Sequence, residues 1–542
     1  MHNSRYSFAT PPRTWAFLCA LVLAVSHGAS GAAPAPTASA GSAPVSGAIA
    51  ASKLLPDLYA LGSDELLWLR KGDEQAQLAL QVLRSAGEHG IDPAHYRIAE
   101  LERRLGQVDG ASFGALDRDL STAMLQFITE VHVGRTTPDY RRADSPVVEF
   151  NPVEVLKSAL KEKRLAQAID AAAPAIPLYL RVKATMGQYR DLARLHPRWE
   201  PLPVPARGAK LAPGSAYDGA TLLRQRLQLL GDFEAGPQIG DAEPELSYTP
   251  ALAAAVKRFQ SRHGLEEDGT LGAATLAALD VSPAARVVQL ALTLERLRWL
   301  PVQRKGRMIV VNLPAYRLWA FDSTPGAPGP PLEMRVIVGT GTRTPTPLFI
   351  GQMRYLEFNP YWNVPRSIEL AEIIPKLARN GAYLQQNDME LVAKNGTVIA
   401  NANPAQLGAL RAGTVRTRQR PGVKNVLGAV KFAMPNPMNI YLHSTSAQEL
   451  FKRSRRDLSH GCIRVEHPAE LAQFVLADPV RWSMEGVAAA MRPAPASTVQ
   501  LKETVPVVLF YATAVTDRQG RALFSADIYR RDQKLIQAMN AN

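Results

Sequence analysis

The sequence predicts a multidomain α+β protein, with helices in its N-terminal half and strands towards its C-terminus. Three observations support this fold class. The chain has 542 residues, enough for three or four domains, and 46% of them are apolar types, enough for folded cores. Apolar residues recur at helical spacing up to about residue 281, and short β-branched and aromatic runs begin near Arg307.

The N-terminus begins with a basic segment, continues with an apolar run and ends in small residues. Arg5 and Arg13 precede TWAFLCALVLAV, which is too short for a membrane span. This layout predicts a secretory signal peptide over 1–33, and the Ala-, Pro- and Ser-rich residues 34–53 predict a flexible spacer. We therefore expect a periplasmic protein, tethered to the membrane if the signal is not cleaved.

The formal net charge is +13 and the sequence pI is about 9.7. A basic surface suits nucleic acid, anionic lipid or an acidic polymer. Export argues against nucleic acid, and the sequence carries no RNA-binding signature. We therefore expect no nucleic-acid partner.

Residues 54–207 predict a helical scaffold domain. The apolar positions of its clearest amphipathic helix lie on one stripe: Leu116, Leu120, Met124, Phe127 and Val131. Its histidines, His89, His95 and His132, are scattered, so we expect them to be solvated or packed. A proline-rich linker, 194–214, closes the region.

Residues 217–281 predict three small helices around a compact core, and they resemble the family of small peptidoglycan-binding modules. The pattern that carries the resemblance is Phe259-Gln260, Gly264-Leu265, Asp268-Gly269, Gly272 and Thr275. A generic helical spacer would also fit these residues.

Residues 300–542 predict a mostly-β domain. An insertion at about 367–420 interrupts it with short helical pieces and a polar stretch. An insertion of this length inside a β domain is often a lid or a binding flap, so we expect a capping subdomain.

Cys462 lies in the motif Ser459-His460-Gly461-Cys462-Ile463-Arg464, and it is the one cysteine that remains once the signal is removed. A lone thiol in an oxidising compartment is either a buried, inert side chain or a nucleophile. A nearby imidazole can take its proton and leave a thiolate–imidazolium pair. The candidates are His443, at the end of the strand-like NIYLHST, and His460, which shares a face with Cys462 if the segment is extended.

The other residues of the motif suggest supporting roles. The amides around Gly461 and Cys462 can form an oxyanion hole, and Arg464 can hold a substrate carboxylate. The same region could instead hold zinc on His443, His460, Cys462 and His467, but the paired spacing of zinc sites is missing. We expect no metal and no other cofactor.

This motif, together with His443 and the stretches GVKNVLGAVKFAMPNPMNIYLHSTSAQELF and FNPYWNVP, resembles the YkuD-type L,D-transpeptidases. The domain layout resembles their YcbB-like periplasmic subgroup. The resemblance implies that Cys462 is the nucleophile and His443 the base. It also implies that Ser459, His460, Gly461 and Arg464 shape the site. By the same resemblance, Trp362 and Asn363 are expected to contact substrate.

One departure from the family pattern concerns the base. The family has Asp-Thr-Pro after the motif histidine, whereas this chain has Ser444-Thr445-Ser446. A backbone carbonyl could still orient the base at that position; if a carboxylate is needed, the chain lacks it.

The resemblance implies formation of 3→3 peptidoglycan cross-links through a thioester on Cys462. The acyl donor is a tetrapeptide stem that loses D-Ala, and the acceptor is an amine on a second stem. With water as acceptor, the enzyme is an L,D-carboxypeptidase. The sequence also allows a non-catalytic peptidoglycan-binding structural protein or a papain-type peptidase, although the latter usually places its histidine after its cysteine. The expected partner is peptidoglycan, with any partner among the cell-wall enzymes unknown.

Overall fold

In the computed structural model, the described residues are 51–59, 66–70, 74–107, 112–136, 141–142, 150–205, 210–234, 246–300, 306–326, 330–341, 343–399 and 403–541. The predicted signal peptide and most of the predicted spacer lie outside these ranges. The last residues of the spacer, 51–53, belong instead to a 3-10 turn, Ala51–Leu54. The α+β class is confirmed, and the described residues form four separate hydrophobic cores.

The N-terminal region is helical, as predicted. Its elements are α1 (Leu55–Leu58), α2 (Glu74–Arg84), α3 (Ile98–Leu105), α4 (Phe113–Val133), a short strand β1 (Arg141–Arg142), α5 (Pro152–Glu162), α6 (Leu165–Ala172) and α7 (Pro177–Leu195). The whole predicted stripe of α4 is buried. The scattered histidines are packed: His89 Nδ1 lies 3.0 Å from Tyr179 Oη, and His132 Nδ1 lies 2.8 Å from the Ala172 carbonyl oxygen.

The next region contains the three predicted small helices. They are α8 (Ala220–Leu229), α9 (Pro250–Arg262) and α10 (Ala273–Leu279). Residues of the predicted pattern form hydrogen bonds that fix the loop between α9 and α10. The Gly269 amide donates to Gln260 Oε1 at 2.8 Å, and Gln260 Nε2 donates to Asp268 Oδ1 at 2.9 Å. Gln260 is buried, so this part of the pattern serves the fold of the module.

The C-terminal domain begins with α11 (Pro283–Arg298), followed by strands β2 (Arg307–Asn312), β3 (Arg317–Asp322), β4 (Leu332–Gly339) and β5 (Phe349–Phe358). The inserted subdomain follows, and we call it the cap. Its elements are β6 (Trp362–Asn363), α12 (Arg366–Ile368), a π-helical segment (Glu369–Ile373), α13 (Ile374–Arg379), α14 (Tyr383–Gln386), β7 (Met389–Ala393), β8 (Val398–Ile399), α15 (Pro404–Ala412) and β9 (Val415–Gln419).

The cap has its own sheet, in the order β6-β9-β7-β8, and its own small core. Sequence analysis predicted helical pieces here and missed these strands. They are two to five residues long. In β9 the buried positions alternate with Arg416 and Arg418, so the strand resembles a polar loop in sequence.

The chain then returns to the main sheet of the C-terminal domain. The remaining elements are β10 (Val430–Ala433), β11 (Leu442–His443), β12 (Asp457–Ser459), β13 (Ile463–Val465), α16 (Pro468–Leu476), α17 (Met484–Ala490), β14 (Ser497–Phe510), β15 (Ala514–Thr516), β16 (Ala522–Phe524) and α18 (Arg531–Ala541). The main sheet runs β1-β5-β10-β11-β13-β4-β3-β2-β14, with β12 paired to β4. Because β14 also pairs with β5, the sheet closes on itself.

The hairpin β15–β16 joins the three regions. Thr185 Oγ1, on α7, donates to the Gly520 carbonyl at 2.9 Å. Arg262 Nη1, in the small helical module, donates to the Ala522 carbonyl at 2.6 Å. Thr293 Oγ1, on α11, donates to the Ala514 carbonyl at 2.6 Å. The module is therefore bonded to the same hairpin as the helices that pack on the sheet.

Within the described ranges, no single helix has the length and apolar character to cross a membrane. The pair α10 and α11, bent by 83°, meets those two criteria jointly.

Candidate active site

Strand register places the motif side chains on one face of the sheet. His443 pairs with Lys431 on one side and with Arg464 on the other. Directly paired residues, and residues two apart along a strand, share a face. Tyr441 precedes His443 by two positions and Cys462 precedes Arg464 by two. The cysteine, the histidine and the arginine of the predicted site therefore face the same way.

The turn before Cys462 is fixed by short hydrogen bonds. Ser459 is buried, and its Oγ donates to the Cys462 carbonyl at 2.6 Å while accepting from the Gly461 amide at 3.1 Å. Thr346 Oγ1 donates to the Gly461 carbonyl at 2.7 Å. Gly461 has a φ of +118°, a backbone conformation that favours glycine. Ser459 thus shapes the turn from within.

This geometry corrects the expected oxyanion hole. Because the Gly461 amide already donates to Ser459, it is not free to stabilise an oxyanion. Of the two amides suggested by the sequence, the Cys462 amide is the one that remains. Gly461 therefore contributes backbone conformation to the turn rather than a hydrogen bond to substrate.

The Cys462 thiol is half-buried, and its Sγ lies 3.5 Å from the Asn439 carbonyl oxygen, to which it donates. Burial raises the pKa of the thiol above its usual value. Interactions with Tyr441, Lys431 and Arg464 oppose this rise. The resting side chain at neutral pH is therefore the protonated thiol, which needs a base when it attacks.

The His443 ring is buried and oriented by a backbone carbonyl. Its Nδ1 lies 2.6 Å from the Ser444 carbonyl oxygen. Because a carbonyl oxygen can only accept, Nδ1 carries the hydrogen of the neutral ring and Nε2 is free to take a proton. Burial and the Arg464 cation lower the pKa of His443 to about 3, against the effect of the Ser444 and Leu427 carbonyls.

The sequence allows a thiolate–imidazolium pair, and the burial of both groups disfavours that pair at rest. Both partners are desolvated, so each favours its neutral form: the thiol pKa is raised and the imidazole pKa is lowered. Proton transfer therefore has to accompany attack on the substrate rather than precede it.

The backbone carbonyl also explains how the site tolerates Ser444 where the family pattern has an aspartate. The Ser444 carbonyl occupies the Nδ1 side of the ring, where an orienting carboxylate would otherwise bond. The Ser444 hydroxyl bonds elsewhere: it donates to the Leu427 carbonyl at 2.9 Å and accepts from the Val430 amide at 3.0 Å. The side chain at this position therefore fixes the backbone, and the backbone orients the base.

Tyr441 belongs to the site, and sequence analysis missed it. Its ring packs edge-on against His443 with centroids 5.8 Å apart, and Lys431 Nζ lies 5.0 Å from its centroid. Burial raises the pKa of Tyr441, and the neighbouring Cys462 adds to the rise, so the hydroxyl keeps its proton. The spacing of Tyr441, two residues before His443 and so on the same strand face, is the sequence feature that could have predicted its place in the site.

The expected substrate-binding residues divide into two groups. Arg464 is half-buried on the catalytic face, and its Nε has no hydrogen-bond partner among the described residues. Trp362 and Asn363 lie on β6 in the cap. The Trp362 side chain packs against the cap core and interacts with Tyr441. Asn363 is exposed and pairs with Arg418, so no contact of the described residues brings it to Cys462.

The other two motif histidines have carboxylate partners. His460 Nε2 lies 2.5 Å from Glu372 Oε1, and His467 Nδ1 lies 3.3 Å from Glu470 Oε2. Over the ranges that the structure describes, no group of three or more His, Cys, Asp and Glu residues is placed to hold a metal ion.

A thiol and a buried imidazole on one strand face form a candidate cysteine-nucleophile site on a closed β sheet. Residues 306–495 match the family described as YkuD, L,D-transpeptidase catalytic domain. Residues 53–186 match a "Scaffold domain" and residues 217–279 a "Putative peptidoglycan binding domain". The chain therefore carries a YkuD-type L,D-transpeptidase catalytic domain and a peptidoglycan-binding domain.

A protein of Haemophilus influenzae (strain ATCC 51907 / DSM 11121 / KW20 / Rd), named "Putative L,D-transpeptidase", is 31% identical to this chain over 247 residues. The match covers 46% of this chain and 48% of the relative, so the chain spans about half the length of the curated relative it matches.

Among solved structures, a fused Zn-dependent amidase/peptidase/peptidoglycan-binding domain-containing protein from Clostridium acetobutylicum ATCC 824 matches 56% of this chain and 100% of its own. Its identity is 14% and its TM-score 0.15, which is too low to support an argument about this chain.

Proposed function

We propose that this protein is an L,D-transpeptidase that forms 3→3 cross-links in peptidoglycan through a thioester on Cys462. The observation that carries the proposal is the position of a thiol and a carbonyl-oriented neutral imidazole on one strand face of a YkuD-type domain. The donor is a tetrapeptide stem in which a diamino acid precedes the terminal D-Ala.

The first half-reaction breaks the peptide bond to D-Ala. Nε2 of His443 takes the thiol proton as Sγ of Cys462 bonds to the carbonyl carbon at the L-centre of the diamino acid. The Cys462 amide stabilises the oxyanion that forms. The C–N bond then breaks, and the imidazolium returns its proton to the departing D-Ala amine. A thioester on Cys462 remains.

The second half-reaction transfers the acyl group to a second stem. The side-chain amine of an acceptor diamino acid attacks the thioester carbonyl and gives its proton to His443. The C–S bond breaks, and the leaving sulfur recovers the proton from the imidazolium. A neutral base serves both halves, since it can accept a proton near neutral pH in each.

Arg464 is the candidate for holding a stem carboxylate. Its guanidinium lies on the catalytic face near Cys462, and its Nε–H has no hydrogen-bond partner among the described residues. Because that Nε is itself buried, a carboxylate of the stem would bond to the guanidinium through its Nη groups, with charge-assisted hydrogen bonds. Trp362, which interacts with Tyr441, would form the apolar wall of the cleft on the cap side.

The same reasoning extends to the protein's setting. The order of scaffold, binding module and capped catalytic domain supports a YcbB-like member that acts in the periplasm. Its basic signal-like N-terminus supports export. The module would bind glycan–peptide wall while the catalytic domain acts on stems, with peptidoglycan as both donor and acceptor.

Product analysis tests the function. Purified protein is incubated with tetrapeptide-rich sacculi, and the digested muropeptides are identified by mass spectrometry. We expect dimers joined between two diamino acids, with release of D-Ala and none formed by Cys462→Ala. Tripeptide monomers alone would identify an L,D-carboxypeptidase. Unchanged muropeptides, with the protein still sedimenting with sacculi, would indicate a binding protein.

A further inference from the structure

The cap contacts the nucleophile's turn through one polar bond. Glu372 Oε1, in the π-helical segment of the cap, accepts a hydrogen bond from His460 Nε2 at 2.5 Å across 88 residues of sequence. His460 is separated from Cys462 by Gly461 alone. Among the described residues, one other side-chain hydrogen bond links the helical part of the cap, 366–386, to residues beyond β9: Lys424 Nζ, next to the chain crossing at Asn425, donates to the Gln386 carbonyl at 2.9 Å.

The π-helical segment carries two glutamates, of which Glu369 bonds within the cap and Glu372 bonds to the turn of Cys462. Glu369 is buried, and its Oε1 accepts from the Thr417 amide at 2.5 Å inside the cap. Glu372, three residues on, reaches out to His460. Segments of π-helix are rare and frequently occur at functional sites. This one holds Glu372 within the helical run 366–379, which Glu369 bonds to the cap sheet.

The carboxylate of Glu372 bridges two basic groups with different oxygens. Oε2 accepts from Lys376 Nζ at 3.1 Å, one helical turn away, while Oε1 accepts from His460. Burial alone would raise the pKa of Glu372, but the bonds from Lys376 and His460 hold it below its usual value. The carboxylate is therefore an anion positioned by the cap and directed at the turn.

The Glu372–His460 pair adds little to the free energy of unfolding, and its main effect is to fix the position of the cap relative to the turn. The His460 side chain is 48% exposed and that of Glu372 is 35% exposed, and ion pairs this accessible to water add little to folding. The cap joins the core through two chain crossings, near Pro360 and near Asn425, whose Nδ2 donates to the Pro360 carbonyl at 2.9 Å. The bond from His460 to Glu372 is a further attachment, which restricts motion of the cap about those crossings.

We propose that Glu372 is a positioning residue that latches the cap to the turn of Cys462 through His460. The latch holds the cleft closed on the donor stem and fixes the backbone two residues before the nucleophile. This inference rests on the proposed function and adds a cap residue to its machinery. His460 donates the hydrogen bond that Glu372 accepts, and His443 remains the base.

A double-mutant cycle tests the pair, with Glu372→Ala, His460→Ala and the double variant. Glu390→Ala is the matched control, because Glu390 is a cap carboxylate whose partner, Arg418, also lies in the cap. We expect kcat/KM on soluble tetrapeptide to fall about 10-fold in each single variant and no further in the double variant. Glu372→Gln, which keeps an acceptor oxygen, should recover most of the loss.

Hydrogen exchange supplies a readout that does not depend on turnover. In Glu372→Ala, amides of 366–379 and of 457–465 should exchange faster together, whereas Glu390→Ala should leave 457–465 unchanged. Losses that multiply in the double variant, or turn exchange that does not respond to Glu372→Ala, would overturn the latch. If the wild-type protein proves inactive on stems, the proposed function fails, and the exchange comparison still decides whether the latch exists.

Discussion

At the scale of single residues, a backbone atom orients the base. The Ser444 carbonyl fixes the His443 tautomer, so a chain without an acidic residue at this position still presents an unprotonated Nε2. The Ser444 hydroxyl only bonds to backbone atoms of Leu427 and Val430, at and before the start of β10. Chemistry and folding therefore depend on different atoms of the same residue.

Ser444→Ala separates those two roles. Removing the hydroxyl leaves the Val430 amide without its 3.0 Å acceptor, which should cost about 1–3 kcal/mol in free energy of unfolding. The carbonyl stays, so kcat/KM should change by less than about threefold. Urea titration and steady-state kinetics check the two expectations. A loss of activity as large as that of His443→Gln would assign the orientation to the side chain.

The thiol provides a pH-dependent test at the same scale. Because burial raises the pKa of Cys462 and lowers that of His443 to about 3, a resting ion pair is not expected. Alkylation by iodoacetamide should be slow at pH 7 and rise about tenfold per pH unit, up to a pKa above the usual value of a cysteine thiol. Mass spectrometry of the alkylated protein at several pH values measures this profile. A fast, flat rate between pH 5 and 7 would establish a thiolate–imidazolium pair instead.

The sequence predicted much of this site and missed a defined part. Cys462 and Arg464 could be proposed because a lone thiol lies in a family motif, and His443 because it ends a strand-like run shortly before that motif. Tyr441 was missed because a tyrosine on a strand usually indicates packing. The bond from the Gly461 amide to Ser459 depends on the path of one turn, which residue types do not specify.

At the scale of elements, the end of β4 supports the catalytic turn through a close backbone approach. A Cβ on Gly339 would lie 2.0 Å from the Thr344 carbonyl oxygen and 3.0 Å from the Gly461 Cα. Backbone atoms cannot move aside as a flexible side chain can. Gly339 therefore lies against the backbone of 344–346 at a distance that only glycine permits, and against the turn of Gly461 at a tight one.

Gly339→Ala should displace this turn. We expect a loss of more than about 10-fold in kcat/KM, and destabilisation by about 1–3 kcal/mol, since overpacking a tight site forces backbone shifts. The matched change is Gly187→Ala in α7, where an added Cβ meets no atom within 4 Å. That variant should be stabilised by about 0.5–1 kcal/mol with unchanged activity. Equal activity of both variants would show that the β4 contact does not position the turn.

The cap shows where prediction from the sequence ends at this scale. The insertion could be located because its pattern breaks a series of strands. Its short strands could not, because β9 carries Arg416 and Arg418 on one face and its partners are non-local. The π-helical segment likewise has no sequence signal, since its residues also suit an α-helix.

At the scale of the whole molecule, buried neutral histidines link stability to pH in three regions. Burial lowers the pKa of His89 and of His443 to about 3, and that of His263 well below its usual value. In the unfolded chain each titrates near about 6.5. As pH falls below about 6.5, the unfolded state binds protons that the folded state does not. The contribution of these histidines to the free energy of unfolding is therefore fully present above that pH, and it declines as the pH falls towards about 3.

Urea unfolding between about pH 7.5 and 4 measures this decline. The midpoint should fall steadily below about pH 6.5, and His263→Gln should flatten the slope, because it removes one such group from the small helical module. His467→Gln, at a half-exposed position, is the control. A midpoint that stays constant from pH 7 to 5 would show that these histidines titrate alike in both states.

The most direct test of the proposed function is the intact mass of the protein during turnover on a soluble tetrapeptide stem. Acyl transfer through Cys462 predicts an added mass equal to the stem minus D-Ala, which maps to Cys462 and disappears when an acceptor amine is supplied. His443→Gln should retain the thiol but acylate at least about 100-fold more slowly. An adduct on another residue, or 3→3 products formed by Cys462→Ala, would contradict the assignment of Cys462 as the nucleophile.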